Sequence, residues 1–168
     1  MSVNTTDSTA FLKAPEKQHF TNPSRILIIG AGSRGTSYAA SALSCSNATI
    51  AAVCEPSTYK RNEFGRKFIW GDGVPPFGTA FPDWKDWVKY EKERQESAKT
   101  GKGLTGVAGF KPVIVDAVFV CVLDEMHEEV LCGIAGLGVH ICCEKPLSTG
   151  LKSCINIYKA LQLSLIHI

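Results

Sequence analysis

Arg25-Ile-Leu-Ile-Ile-Gly30-Ala-Gly-Ser-Arg-Gly35 decides how this chain folds. Arg25 to Ile29 is a short apolar run rich in β-branched residues, which suits a strand, and three glycines spaced G-x-G-x-x-G follow it without a gap. The small-residue stretch Thr36 to Ser44 then reads as a helix. Strand, tight turn and helix in this order hold a dinucleotide pyrophosphate. The first glycine makes the turn, the second lets backbone approach the phosphates, and the third lets the helix pack on the strand. The phosphates rest on the amides and positive end of the helix. Gly30, Gly32, Ser33, Arg34 and Gly35 are therefore the candidate cradle. A P-loop does not fit, because it requires Gly-Lys followed by Ser or Thr where this chain has Arg34-Gly35-Thr36. A methyltransferase turn, G-x-G-x-G, would need its third glycine where Arg34 stands.

The next apolar run, Ala48 to Cys54, ends at Glu55-Pro56, and Glu55 lies 55 − 35 = 20 residues beyond the last glycine. A carboxylate there accepts hydrogen bonds from ribose hydroxyls and repels a 2′-phosphate, so NAD is favoured, with NADP kept as the alternative by Lys60 and Arg61. Thr58 to Phe68 reads as a surface helix. Asp116 to Val122 is almost continuously apolar, as expected of a parallel strand covered on both faces. A helix from Glu125 to Gly136, a strand from Val139 to Cys143 and a last helix capped by Ser148 and reaching about Leu161 complete the pattern. Strands alternating with helices predict an α/β fold, a doubly wound parallel sheet of the Rossmann type. The stretch from Ile69 to Pro112 is less regular. It holds a turn-rich Gly71 to Pro76, a short strand near Thr79 to Phe81, and a charged helix capped by Asp83 and running to about Ser97. Trp84, Trp87 and Val88 share one face, which places this helix on the sheet edge with its charges in water. Lys99 to Gly109 reads as a flexible loop.

Composition narrows the partners. The 168 residues are 45% hydrophobic and 20% charged, which fits one globular domain and excludes a disordered, collagen-like or coiled-coil chain. A net charge of +2 gives no electrostatic case for nucleic acid or an anionic membrane, so a small molecule is the expected partner. Residues 1–24 are polar, lack a signal-peptide core and read as a loose arm. Seven cysteines, odd in number and without a C-x-x-C pair, fit neither a disulfide framework nor a metal site. Several sit in apolar runs as small, inert hydrophobes, and a reduced, cytoplasmic protein follows.

A second constellation is more specific. A dinucleotide turn, then Asp116-Ala-Val-Phe-Val-Cys-Val122 with His127 shortly after, then Gly138-Val-His-Ile-Cys-Cys-Glu-Lys-Pro146, resembles the Gfo/Idh/MocA family of NAD(P)-dependent oxidoreductases over about Ile26 to Leu161. The resemblance implies that Lys145 lies beside the nicotinamide as the catalytic residue, assisting proton transfer. Glu144 would contact the nicotinamide ribose and Pro146 would shape the turn. Val122, Leu123 and His127 would line the cofactor groove, although Leu123-Asp124-Glu125 stands where many relatives have a Pro-Asn type turn. The lysine role has its own logic, since oxidising an alcohol by hydride transfer requires the hydroxyl proton to leave. His140, inside an apolar strand, reads as a packed core histidine.

Family members carry a second, C-terminal α/β domain that supplies the substrate pocket, and no such segment is visible here. Residues 25–162 are then the dinucleotide-binding domain, and residues 163–168 read as an artefactual tail whose His167 has no catalytic meaning. The implied function is the cofactor half of a dehydrogenase acting on a sugar or polyol, homo-oligomeric through the missing domain and inactive by itself. A non-catalytic dinucleotide-binding regulator of the same fold is the alternative, and the complete Glu144-Lys145-Pro146 favours the enzyme.

Overall fold

The computed structural model of the protein describes residues 22–45, 47–101, 104 and 111–163. In chain order the elements are β1 (Ser24–Ile29), α1 (Ser33–Ser44), β2 (Ala48–Cys54), α2 (Thr58–Gly65), β3 (Ala80–Phe81), α3 (Trp84–Thr100), β4 (Ala117–Val120), α4 (His127–Ile134), β5 (His140–Cys143) and α5 (Leu151–Leu163). A π-helical turn at Arg66–Trp70 prolongs α2, and a 3-10 turn at Asp124–Met126 leads into α4. The five strands pair in parallel in the order β3-β2-β1-β4-β5. The order reverses between β1 and β4, and doubly wound sheets open a ligand crevice at that point, outside the carboxyl ends of the strands.

Alternation along β1 sorts the core into two layers. Ile26 and Ile28 face Ala39 of α1 and Phe64 of α2, whereas Leu27 and Ile29 face Trp84 and Trp87 of α3, Val130 and Ile134 of α4, and Ile157 of α5. Helices therefore cover both faces of the sheet, which is why β1 reads as an unbroken apolar run. Each fully buried side chain such as Leu27 or Ile28 contributes about 1.5–3 kcal/mol of transfer free energy. At the opposite end from the crevice, Arg25 grips Asp116 through Nε at 2.8 Å and an Nη at 2.6 Å, joining the starts of β1 and β4.

Four expectations are corrected. Helix α3 lies across one face of the sheet beside α4, with Trp87 fully buried, and its charges are not all in water. Glu91 is buried because Arg94, three residues on, and Gln95, four residues on, reach its carboxylate at 2.6–2.9 Å, and Gln95 also donates to the Leu137 carbonyl at 2.7 Å. The same helix continues through Thr100 and stops at Gly101, whose φ of +69° is left-handed, so Lys99 and Thr100 do not belong to a loop. His140 is exposed rather than packed. In β5 the side chains alternate, placing His140 and Cys142 outward and Ile141 and Cys143 half-buried, because β5 is the last strand of the described sheet. Ser24, expected in the N-terminal arm, is already paired with Ala48 in the sheet. Residues 1–21, 105–110 and 164–168, which include most of the arm, most of the glycine loop and the tail, lie outside the described residues. Among the described residues no helix is long and apolar enough to cross a membrane.

Candidate functional site

The three glycines of the turn are required for different reasons. Gly30 has φ +98°, and a Cβ on it would stand 2.7 Å from the Cys121 carbonyl oxygen. A Cβ on Gly35 would stand 2.1 Å from the Gly30 carbonyl oxygen, so only glycine lets α1 pack this closely on the turn. Gly32 has an ordinary φ of −79° and nothing within 4 Å of a built Cβ. Its glycine character answers to no protein neighbour; it leaves room above the turn. Gly32 is also the N-cap of α1, where no side chain caps the helix and no acidic residue occupies the first turn. The positive end of α1 is thus open to the crevice.

That crevice has a volume of about 650 Å³ and is walled by Gly30, Gly32, Ser33, Arg34, Glu55, Lys60, Val122 and Leu123, together with Trp84, Lys85, Met126 and Glu129. Glu55 directly follows β2 and is pinned by two backbone amides, Ala31 N to Oε2 and Ser57 N to Oε1, both at 3.0 Å. Its carboxylate is therefore held against the glycine turn. Arg61 is turned onto its own segment. It donates to the Glu55 carbonyl at 2.5 Å, the Pro56 carbonyl at 3.2 Å and the Thr58 hydroxyl at 3.3 Å. Across the crevice Asp83 caps α3 by accepting from Lys85 N at 3.0 Å, and Lys85 Nζ meets Glu129 at 2.6 Å beside the Trp84 ring. Trp84, which the sequence placed on a core face, is both a core residue and a wall.

Glu144-Lys145-Pro146 follows β5 at the same edge of the sheet but does not wall this crevice. The Tyr38 hydroxyl of α1 donates to the Glu144 carboxylate. That bond, helped by Arg34 and Lys145 and opposed by partial desolvation, holds the Glu144 carboxyl below its ordinary range. Tyr38 also meets Phe119 edge-on, with ring centroids 5.6 Å apart. No motif marked Tyr38; the only signal was a lone aromatic in a helix of small residues. Lys145 is exposed, and the Lys145-Pro146 peptide is cis. His127, expected on the groove wall, is instead fully buried behind it, with Nδ1 3.0 Å from the Pro146 carbonyl oxygen and Nε2 3.3 Å from the Val122 carbonyl oxygen. Among the described residues no group of three or more His, Cys, Asp or Glu could hold a metal ion.

Residues 24–164 match the family model GFO_IDH_MocA, described as an oxidoreductase family with an NAD-binding Rossmann fold. The chain belongs to the Gfo/Idh/MocA family. Its fold is similar to that of an inositol dehydrogenase homolog complexed with NAD+ from Azotobacter vinelandii, at 20% identity and TM-score 0.64 over 88% of this chain and 33% of that one. It is also similar to WlbA dehydrogenase from Bordetella pertussis in complex with NADH and UDP-GlcNAcA, at 14% identity and TM-score 0.64 over 88% and 35% of the two chains. A third likeness is to myo-inositol 2-dehydrogenase from Lactobacillus plantarum, at 17% identity and TM-score 0.61 over 85% and 34%. Identities this low carry the fold alone. The chain spans about a third of the length of these proteins. No curated protein sequence matches it.

As a Gfo/Idh/MocA domain, this chain fits a dinucleotide on its own observations. Two glycines close a turn that any Cβ would break, a third leaves the helix terminus open, and a carboxylate stands one hydrogen bond from the Ala31 amide. The structure brings Gly30, Gly32, Ser33, Arg34, Glu55, Val122 and Leu123 to one crevice and sets Gly35 beneath it. It keeps Glu144, Lys145 and Pro146 together at the end of β5, next to β4, whose loop walls the crevice.

Proposed function

We propose that this chain is the NAD(H)-binding half of an oxidoreductase that moves a hydride between nicotinamide and a secondary alcohol of a sugar or polyol, with Lys145 handling the hydroxyl proton. The observation that carries the cofactor reading is Gly32, a helix-capping glycine with an allowed backbone and empty space where a side chain would stand. Such a position is explained by a ligand approaching the backbone, and the uncapped positive end of α1 suits a pyrophosphate. When bound, the dinucleotide supplies the hydride acceptor or donor. Gly32, Ser33 and Arg34 hold its phosphates, and Glu55 accepts from the adenosine ribose hydroxyls. Glu55 also repels a 2′-phosphate, and of the two basic residues beside it Arg61 spends its guanidinium on two carbonyls and a hydroxyl, leaving Lys60 in the crevice wall to carry the NADP alternative. NAD is therefore preferred to NADP.

Glu144, kept ionised by Tyr38, is suited to orient the nicotinamide ribose. Lys145, exposed at the turn, would take the hydroxyl proton on its neutral amine as the alcohol loses hydride, and return it from the ammonium when the carbonyl is reduced. The sugar or polyol class rests on the relatives named above. The proposal places the residues that recognise it in a part of a larger protein that these 168 residues do not include. The seven cysteines are all free, which supports a reduced, cytoplasmic setting.

Replacing Gly32 with Ala tests this reading. The open space and ordinary φ predict a variant that folds with stability lowered by about 1 kcal/mol or less, the cost of Ala at an N-cap. Its affinity for NADH, by calorimetry, should fall at least about tenfold because the methyl occupies the phosphate approach. A folded variant that binds NADH as the parent chain does would overturn the assignment.

A further inference from the structure

We propose that His127 is a positioning residue that locks the Lys145-Pro146 turn to the Val122 wall of the crevice, an inference that rests on the cofactor reading above. The imidazole is fully buried and reaches no crevice surface, so it cannot touch a cofactor directly. Instead it stands between two loops. Nδ1 is 3.0 Å from the Pro146 carbonyl oxygen in the turn after β5, and Nε2 is 3.3 Å from the Val122 carbonyl oxygen in the loop after β4. Both partners are acceptors and a neutral imidazole carries one N–H, so the shorter contact gives it to Nδ1 and the Pro146 carbonyl, while Nε2 lies against the Val122 carbonyl.

The two loops carry different parts of the site. Val122 and Leu123 wall the crevice, whereas Lys145 stands between Glu144 and Pro146. Glu144 is held from one side by Tyr38 of α1, and Pro146 from the other by His127 of α4. Lys145 thus has its backbone fixed at both flanks and its side chain free. Backbone pairing after β5 reaches only Glu144 N, which donates to the Val120 carbonyl at 3.0 Å. The described ladder stops one residue before Lys145, and the His127 ring is the tie beyond it. Removing the ring leaves a cavity and a carbonyl without its donor, and releases one loop from the other.

The test uses the 168-residue chain and NADH. In the unmodified chain, nitrogen-edited NMR should show the His127 ring N–H proton protected from exchange, and its resonance should shift when NADH binds. His127→Ala should weaken NADH binding roughly fivefold to tenfold, the scale of one buried hydrogen bond. His127→Asn, whose Nδ2 can replace Nδ1 against Pro146, should bind within about twofold of the parent. A purely packing role predicts instead that His127→Leu, similar in shape to Asn but without an N–H, restores binding as well as Asn does. A folded Ala variant that binds normally, an Asn variant no better than Ala, or a ring proton that exchanges freely would each overturn the inference. If the Ala variant does not fold, the ring proton and the Asn variant decide it. A parent chain with the protected ring proton but no NADH binding would overturn the cofactor reading and leave the loop-to-loop tie supported.

Discussion

Single residues carry most of the site, and burial decides their chemistry. Burial pushes the Cys121 thiol up to about 12 and the Cys143 thiol up to about 11, with the nearby Glu144 carboxylate adding to both, and raises Cys54 well above its ordinary value. Cys45, Cys132 and Cys142 are exposed, with the Cys132 thiol raised by partial burial. Iodoacetamide at pH 8, followed by peptide mass mapping, should label Cys45 and Cys142 while sparing Cys54, Cys121 and Cys143, because only the thiolate reacts. Labelling of Cys121 at the rate of Cys45 would show that its side of the crevice is not packed as described. The glycine spacing and the carboxylate 20 residues on were legible as chemistry because each answers to a local backbone need. His127 was not, since nothing in Met126-His-Glu tells whether the ring turns into the groove or behind it. Tyr38 was missed because its partner, Glu144, lies 106 residues away.

At the scale of elements, β1 is joined to its neighbours at both ends. The glycine turn closes one end, and Arg25 with Asp116 closes the other, where a backbone amide, Arg25 N, also donates to the carboxylate at 2.8 Å. The Arg25 hydrogen bonds hold the Asp116 carboxyl below its usual range, against partial desolvation. A depressed folded-state value means the bridge stabilises the fold above the ordinary aspartate range and is lost as pH falls from that range through the lowered folded-state value. With the two side chains 41% and 39% exposed, the contribution is roughly 0.5–1 kcal/mol. Asp116→Asn should therefore lower stability to urea by about that much at pH 7, and the gap should close below about pH 4. A gap that stays constant across this range would contradict the ion pair. Element identity was readable from periodicity, but element surroundings were not. A charge run such as that of α3 does not reveal that one of its carboxylates, Glu91, is paired inside, and an apolar β5 does not reveal that it ends the described sheet and turns His140 outward.

The described residues form three layers, helix, sheet and helix, with a crevice at the carboxyl ends of the strands. The sheet order β3-β2-β1-β4-β5 sets β2, β1 and β4 side by side under that crevice, so Glu55, the glycine turn and Val122 form one continuous surface. The alternation of strands and helices already implied such a sheet, because parallel strands need helical crossovers and those crossovers have one hand. What local patterns could not supply was that Glu144-Lys145-Pro146 lies beyond the crevice wall, at the end of the neighbouring strand. We propose that this crevice binds NAD(H) in preference to NADP(H). Trp84 stands in its wall and reports on it. Titrating the folded chain with NADH, and separately with NADPH, while following tryptophan fluorescence should give a saturable change with NADH and a clearly weaker one with NADPH. No saturable change at millimolar NADH, or tighter binding of NADPH, would contradict the account.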